Sequence, residues 1–322
     1  MAQSMPELFA LHEISADVYE TLHHPEQMGN ANSIAYGGCT LAAATNAAHF
    51  NIPDGYRCYS LLGNYLGPAL TDRNLRCMVK EIRKTRTFIT KLVEVYQKQD
   101  DASSRGCLVM LADFHLKEAA SVLTYSKSST LKYKAAESYP TPKEQCNKMV
   151  AAGQLSQEAA DTIETTFGLM SRMFDQRLCS ESMLTQTMVG IAKEVETTQE
   201  SLSIVDRTSA DWFKVHKPVK TRAEQASCLA FVIDQSIAFI PLTHSKMFIR
   251  EAGACSSLDF ALRIFVNDFD LNDWHLREWK TIAGEAGRTY SEAQMWDRNG
   301  NMVASMTQAS ILRPKQQKAT KL

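Results

Sequence analysis

Two helical stretches open the two halves of this chain, and one of them, apolar all round, limits the fold more than any other feature. That one is ASCLAFVIDQSIAFIPL, which begins at Ala226 and reads as a helix stopped near Pro241. The other opens at Tyr36-Gly37-Gly38 and continues CTLAAATNAAHF, an alanine-rich helix of about three turns. A helix lying on a surface keeps one face for water, so a helix with no such face has to be enclosed. Each is followed by extended stretches. After the first come YRCYSLLGNYL, RCMVKEIRK, TFITKLVEVYQ and SRGCLVMLADFHL, with breaks at Gly67-Pro68 and Asp72-Arg73-Asn74. After the second come SSLDFALRIFV, HLREWKTIAG, TYSEAQMWD and NMVASMTQASIL. The third strand of both begins Arg-Thr-aromatic, as Arg86-Thr87-Phe88 and Arg288-Thr289-Tyr290.

A helix followed by about four strands, twice over, predicts two like domains rather than a solenoid. An antiparallel sheet that curls around one buried helix is the hot-dog arrangement, so the expected fold is α+β, a double hot-dog. The expected organisation is an N-terminal domain over 1–116, a linker over 117–210 and a C-terminal domain over 211–322. The linker holds a helical pair, PTPKEQCNKMVAAGQ and SQEAADTIETTFGLMSRMF, the second capped by Ser156. This pair is read as packing or lid.

At 322 residues the chain can bury two ordinary cores, and 44% hydrophobic with 22% charged residues is globular composition. A formal net charge of −1 gives no electrostatic case for nucleic acid. There is no apolar run long enough for a membrane span, and MAQSMPELFALHEIS lacks the regions of a secretory signal. The eight cysteines are scattered with no CxxC pair, and read as reduced core residues in an intracellular, metal-free protein. The terminal Thr320-Lys321-Leu322 approximates a peroxisomal address, which leaves cytoplasm and peroxisome as the expected compartments. GxSxG, GxGxxG, Walker and HExxH sequences are all missing, so nucleophile elbows, nucleotide cradles and zinc proteases have no support. His23, His24 and His275 read as structural.

Three polar residues stand out against this apolar background. Asp234 lies within the second buried helix, whereas the first-repeat helix has no acidic residue, so the repeat does not need one to fold. Burying an unpaired carboxylate costs several kcal/mol, roughly, unless it is hydrogen-bonded or protonated. Gln308 follows the Asp297-Arg298-Asn299-Gly300 turn and falls on the strand face of Met302, Ala304 and Met306, which should be buried. Ser256-Ser257 precedes LDFALRIFV. A carboxylate can take a proton from water while a hydroxyl and a carboxamide fix that water's position, which suits hydrolysis of an activated carbonyl such as a thioester.

These residues carry a resemblance to the type II acyl-CoA thioesterases, the TesB-like double hot-dog family. It rests on Tyr36-Gly37-Gly38, on Phe231 to Asp234 and Phe239 to Pro241, and on Ser257-Leu258-Asp259. Leu271 to Trp274 and Asp297 to Gln308 complete it, so it runs from about Tyr36 to Arg313. The resemblance implies hydrolysis of an acyl-CoA or related acyl thioester to free acid and thiol, without cofactor or metal. Asp234, Ser257 and Gln308 then correspond to the Asp, Thr or Ser, and Gln that orient the attacking water. Asp234 is the expected general base, and Gly37 and Gly38 are assigned to the substrate channel. The chain departs from the family pattern at Asp259-Phe260, where Asp-His is usual, and at Cys39, where the family favours Gln. Such drift fits a specialised acyl or polyketide pathway. Hydration, dehydration or cyclisation of a bound acyl chain stays open as an alternative, as does a non-catalytic acyl-binding protein. A homo-oligomer joined through hot-dog sheet edges is also left open.

Overall fold

The computed structural model describes residues 2–29 and 32–315. Thr320-Lys321-Leu322, and with it the peroxisomal reading, lies outside the described residues. Near the N-terminus come α1 (Met5–Leu8), β1 (Leu11–Ser15) and β2 (Val18–Thr21), followed by the first buried helix, α2 (Gly37–His49). Strands β3 (Tyr56–Tyr65), β4 (Arg76–Lys84), β5 (Phe88–Lys98) and β6 (Ser104–Leu116) complete the first repeat. The connecting region holds α3 (Pro142–Ala151), α4 (Gln157–Met173), β7 (Phe174–Leu178) and α5 (Met183–Gln186). The second repeat brings β8 (Ser209–Val215), α6 (Arg222–Ile233), α7 (Ile240–His244), β9 (Ala252–Ser257) and β10 (Asp259–Ile264). It ends with β11 (His275–Glu285), β12 (Arg288–Asp297) and β13 (Met302–Pro314).

Among the described residues the thirteen strands form one sheet in the order β1-β2-β4-β5-β6-β3-β10-β13-β12-β11-β8-β7, with β9 paired to β13. The order is palindromic about the antiparallel β3–β10 pair, which runs from Asn64 opposite Asp259 to Ser60 opposite Arg263. Each half therefore has the same strand neighbours, and the two hot-dog sheets join edge to edge within one chain. Each half also has two strands ahead of its helix. In the second half, β7 and the start of β8 fall inside the segment read from the sequence as linker.

The helices occupy the space the sequence requires. α2 packs on β4, β5 and β6, and lies directly against α6. Leu41, Leu229 and Phe231 are fully buried there, and each such side chain contributes about 1.5–3 kcal/mol relative to exposure. The helices approach closely at Gly38, where a Cβ would lie 2.8 Å from the Phe231 carbonyl oxygen. α6 starts with a capping box, in which Thr221 Oγ1 accepts from the Glu224 N–H while Glu224 accepts from the Thr221 N–H. The expected pair in the connecting region is present as α3 and α4, with Ser156 accepting from the Ala159 N–H at 3.1 Å. Ahead of that pair the chain crosses the outer face of the second sheet. There Trp296 Nε1 donates to the Lys127 carbonyl at 2.7 Å and Trp212 Nε1 to that of Lys134 at 3.1 Å. This region thus covers aromatic surface on one half.

Candidate active site

α6 stops at Ile233, seven residues short of Ile240 and well before Pro241, which instead lies in the first turn of α7. Two side chains from β11 explain the stop. Arg277 donates to the Val232 carbonyl, and Trp279 Nε1 donates to that of Gln235 at 2.8 Å. Both are carbonyls that a continuing helix would have used internally, and Ser236 takes φ +70°, which ends it. Arg277 is itself held by Asp211 at 2.8 Å and Gln235 Oε1 at 2.7 Å, wholly inside the protein. Asp234 is therefore the C-cap of α6, not a mid-helix residue. The reason a carboxylate is tolerated follows from its place. It sits against the N-terminus of α2, whose N-cap Tyr36 supplies no side-chain cap of its own, and the Gly38 N–H bonds to it.

Strand register brings the other groups to Asp234. Pairing along β13 slips by one residue between β10 and β9, with Leu258 as the extra residue of a bulge. The slip puts Ser257 opposite Ser310, on the face that Gln308 shares two residues along. Gln308 is completely buried, as its strand face requires. Its Nε2 donates to Asp234 Oδ1 at 2.8 Å, and its Oε1 accepts from Ser257 Oγ at 3.0 Å and Ser310 Oγ at 3.3 Å. The amide can point only one way, because a carboxylate accepts and hydroxyls donate. Asp234, Gln308 and Ser257, from three separate elements, thus form one hydrogen-bonded chain.

Burial pushes the Asp234 carboxyl up to about 6, against the pull of hydrogen bonds from Gln308, Tyr65 and the Gly38 N–H. A carboxylate in that range is ionised at neutral pH yet basic enough to take a proton in a transition state. The Cys39 thiol nearby is buried and pushed up to about 12, so it stays protonated and is no nucleophile. Among the described residues no group of three or more His, Cys, Asp or Glu is placed to hold a metal ion. His275 is buried in β11 with Nδ1 on the Asp273 carbonyl at 3.0 Å.

The two glycines differ in what they do. Gly37 borders the carboxylate, since a Cβ there would stand 3.3 Å from Asp234 Oδ2 and 3.2 Å from the Tyr65 ring. At Gly38 a Cβ would overlap the Tyr36 ring at 2.3 Å, so this glycine is required by packing between the helices. Sequence reasoning missed Tyr65, whose hydroxyl donates to Asp234 Oδ1 at 3.2 Å, and Arg277, which fixes the turn carrying Asp234. Arg277 carried a readable signal, an arginine on the same strand face as Trp279, two residues along. Tyr65 carried none. A cavity of about 660 Å³ opens elsewhere, at the other end of the helices between His49, Arg57, Arg222 and Asp268.

Solved structures with the same architecture include an acyl-CoA thioesterase II, TesB2, of Mycobacterium marinum. It has 14% identity and a TM-score of 0.68, covering 99% of both chains. A hot-dog protein of Alicyclobacillus acidocaldarius matches at 12% identity and a TM-score of 0.67, over 96% of this chain and 97% of that one. The fold is that of the double hot-dog proteins. Family models of the acyl-CoA thioesterase N-terminal and C-terminal domains match residues 24–115 and 174–312. The chain belongs to the acyl-CoA thioesterase family, a family of thioester hydrolases. Acyl-CoA thioesterase 2 of Haemophilus influenzae is 27% identical over 105 residues, a match spanning 32% of this chain and 36% of that relative.

Proposed function

We propose that this chain hydrolyses an acyl-CoA, or a closely related acyl thioester, to the free acid and the thiol. The observation that carries the reading is the Asp234–Gln308–Ser257 chain, a buried carboxylate pushed up to about 6 with an amide and a hydroxyl fixed beside it. Asp234 takes a proton from water as the water oxygen attacks the thioester carbonyl carbon. The C=O π pair moves to oxygen, then returns as the C–S bond breaks, and the departing thiolate receives the proton held by Asp234. Gln308 and Ser257 orient that water, so its attack is prepaid in entropy. Phe260 is buried on Gly63 of the neighbouring strand, where a Cβ would be 2.7 Å from its ring, and its ring is 5.6 Å from Tyr65.

The test is thiol release from CoA esters graded from acetyl to palmitoyl. The reading expects release from at least one length class, dependent on enzyme and free of added metal. Turnover of no ester, or water addition to the acyl chain without free thiol, refutes it.

A further inference from the structure

Asp234 Oδ1 accepts two hydrogen bonds, from Gln308 Nε2 at 2.8 Å and from the Tyr65 hydroxyl at 3.2 Å. A carboxylate oxygen has two acceptor sites, so on the side where Gln308 and Ser257 stand both are filled. A water shared with those two groups can reach Oδ1 only if one donor leaves. Gln308 cannot, because Ser257 and Ser310 hold its other end and it is fully buried. Of the other nearby donors, the Tyr36 hydroxyl gives its proton to the Phe231 carbonyl at 2.8 Å, and the Gly38 N–H is fixed in the backbone of α2. Tyr65 differs on each count. It comes from β3 of the other repeat, is half-buried and makes the longer bond, and its ring lies over Gly37, where no Cβ obstructs it.

On the hydrolytic reading above, we propose that Tyr65 is a displaceable cap on the base, a positioning residue whose hydroxyl holds Asp234 Oδ1 in the free protein and cedes that place to the attacking water when substrate binds. The cap keeps the carboxylate ionised and solvated by a protein group while the site is empty. Its phenol is pushed up by burial and by Asp234, so it remains a donor throughout the working range. The other groups facing Asp234 do not change charge there. Cys39 is a thiol, Gln308 and Tyr36 are neutral, and Arg277 from β11 is a permanent cation bonded to the residues on either side, at Val232 and Gln235.

Tyr65→Phe removes the hydroxyl and keeps the ring packed on Phe260. Losing a donor to the charged form moves the Asp234 carboxyl upward. The acid limb of kcat/KM should rise by about one pH unit, leaving the variant about tenfold slower than wild type at pH 5. At pH 8.5 the variant should be as fast as wild type or faster, because water no longer competes with the phenol. An unmoved acid limb overturns the proposal, and so does a tenfold loss at pH 8.5, which would make Tyr65 a donor to the substrate. Infrared titration of the Asp234 carboxyl, by difference against Asp234→Asn, reads the cap without turnover. An upward shift there with no thiol release sinks the hydrolytic reading alone; an absent shift sinks the cap.

Discussion

Replacing Gln308 by Glu changes almost no volume and reverses the logic of the site. In the wild type the amide donates to Asp234 Oδ1 at 2.8 Å. With Gln308→Glu, two carboxylate oxygens would meet at that separation in a fully buried place. At an effective dielectric of about 20, two unit charges 4 Å apart repel by about 4 kcal/mol, or about three pKa units, so this closer pair keeps one proton between its members through neutral pH. The surviving charge is then hydrogen-bonded to its protonated partner and is a poor base. Wild-type kcat/KM should fall below about pH 6, where Asp234 protonates. The Gln308→Glu profile should instead be depressed about a hundredfold at pH 7 and recover only above about pH 9. Thiol release followed from pH 5 to 10 gives the profile, and thermal melting at pH 6 confirms that the variant is folded. If Gln308→Glu works within threefold of wild type at pH 7 with the same acid limb, the two side chains do not share a proton-transfer site and the reasoning fails.

Gly38→Ala should destabilise the fold by about 1–3 kcal/mol or more in urea unfolding, because its methyl would overlap the Tyr36 ring and the Phe231 carbonyl. Unchanged stability would mean that the helices can separate freely. Arg277→Met should cost about 3–5 kcal/mol by leaving Asp211 charged and buried without its partner, and Arg277→Met with Asp211→Leu should recover most of that loss. A double variant no more stable than the single one would show that the turn at 232–235, rather than the unpaired charge, bears the cost.

Much of this protein is readable from periodicity because enclosure leaves a strong pattern. The alanine-rich run gives α2, and strict alternation around Met302, Ala304, Met306 and Gln308 gives the inward face of β13. The end of α6 was not readable, since ASCLAFVIDQSIAFIPL keeps an apolar pattern past Ile233 while Arg277 and Trp279, over forty residues away, take the carbonyls that would continue it. The early strands β1, β2 and β7 are short, and β1 is exposed along most of its length, so no alternation marks it. Asp234, Ser257 and Gln308 drew attention as polar groups in apolar settings. Tyr65 did not, because a tyrosine in a strand is ordinary until the edge-to-edge pairing of β3 with β10 carries it across to the other repeat's carboxylate. Ser257 depends likewise on a one-residue slip at Leu258 that no local pattern announces.

If Asp234 is the base that activates water, the most direct measurement is thiol release by Asp234→Ala on the ester the wild type cleaves fastest. A fall in kcat of about a hundredfold or more, with the melting temperature kept, is the predicted result. Hydrolysis at the wild-type rate would contradict it and move the chemistry to another part of the molecule.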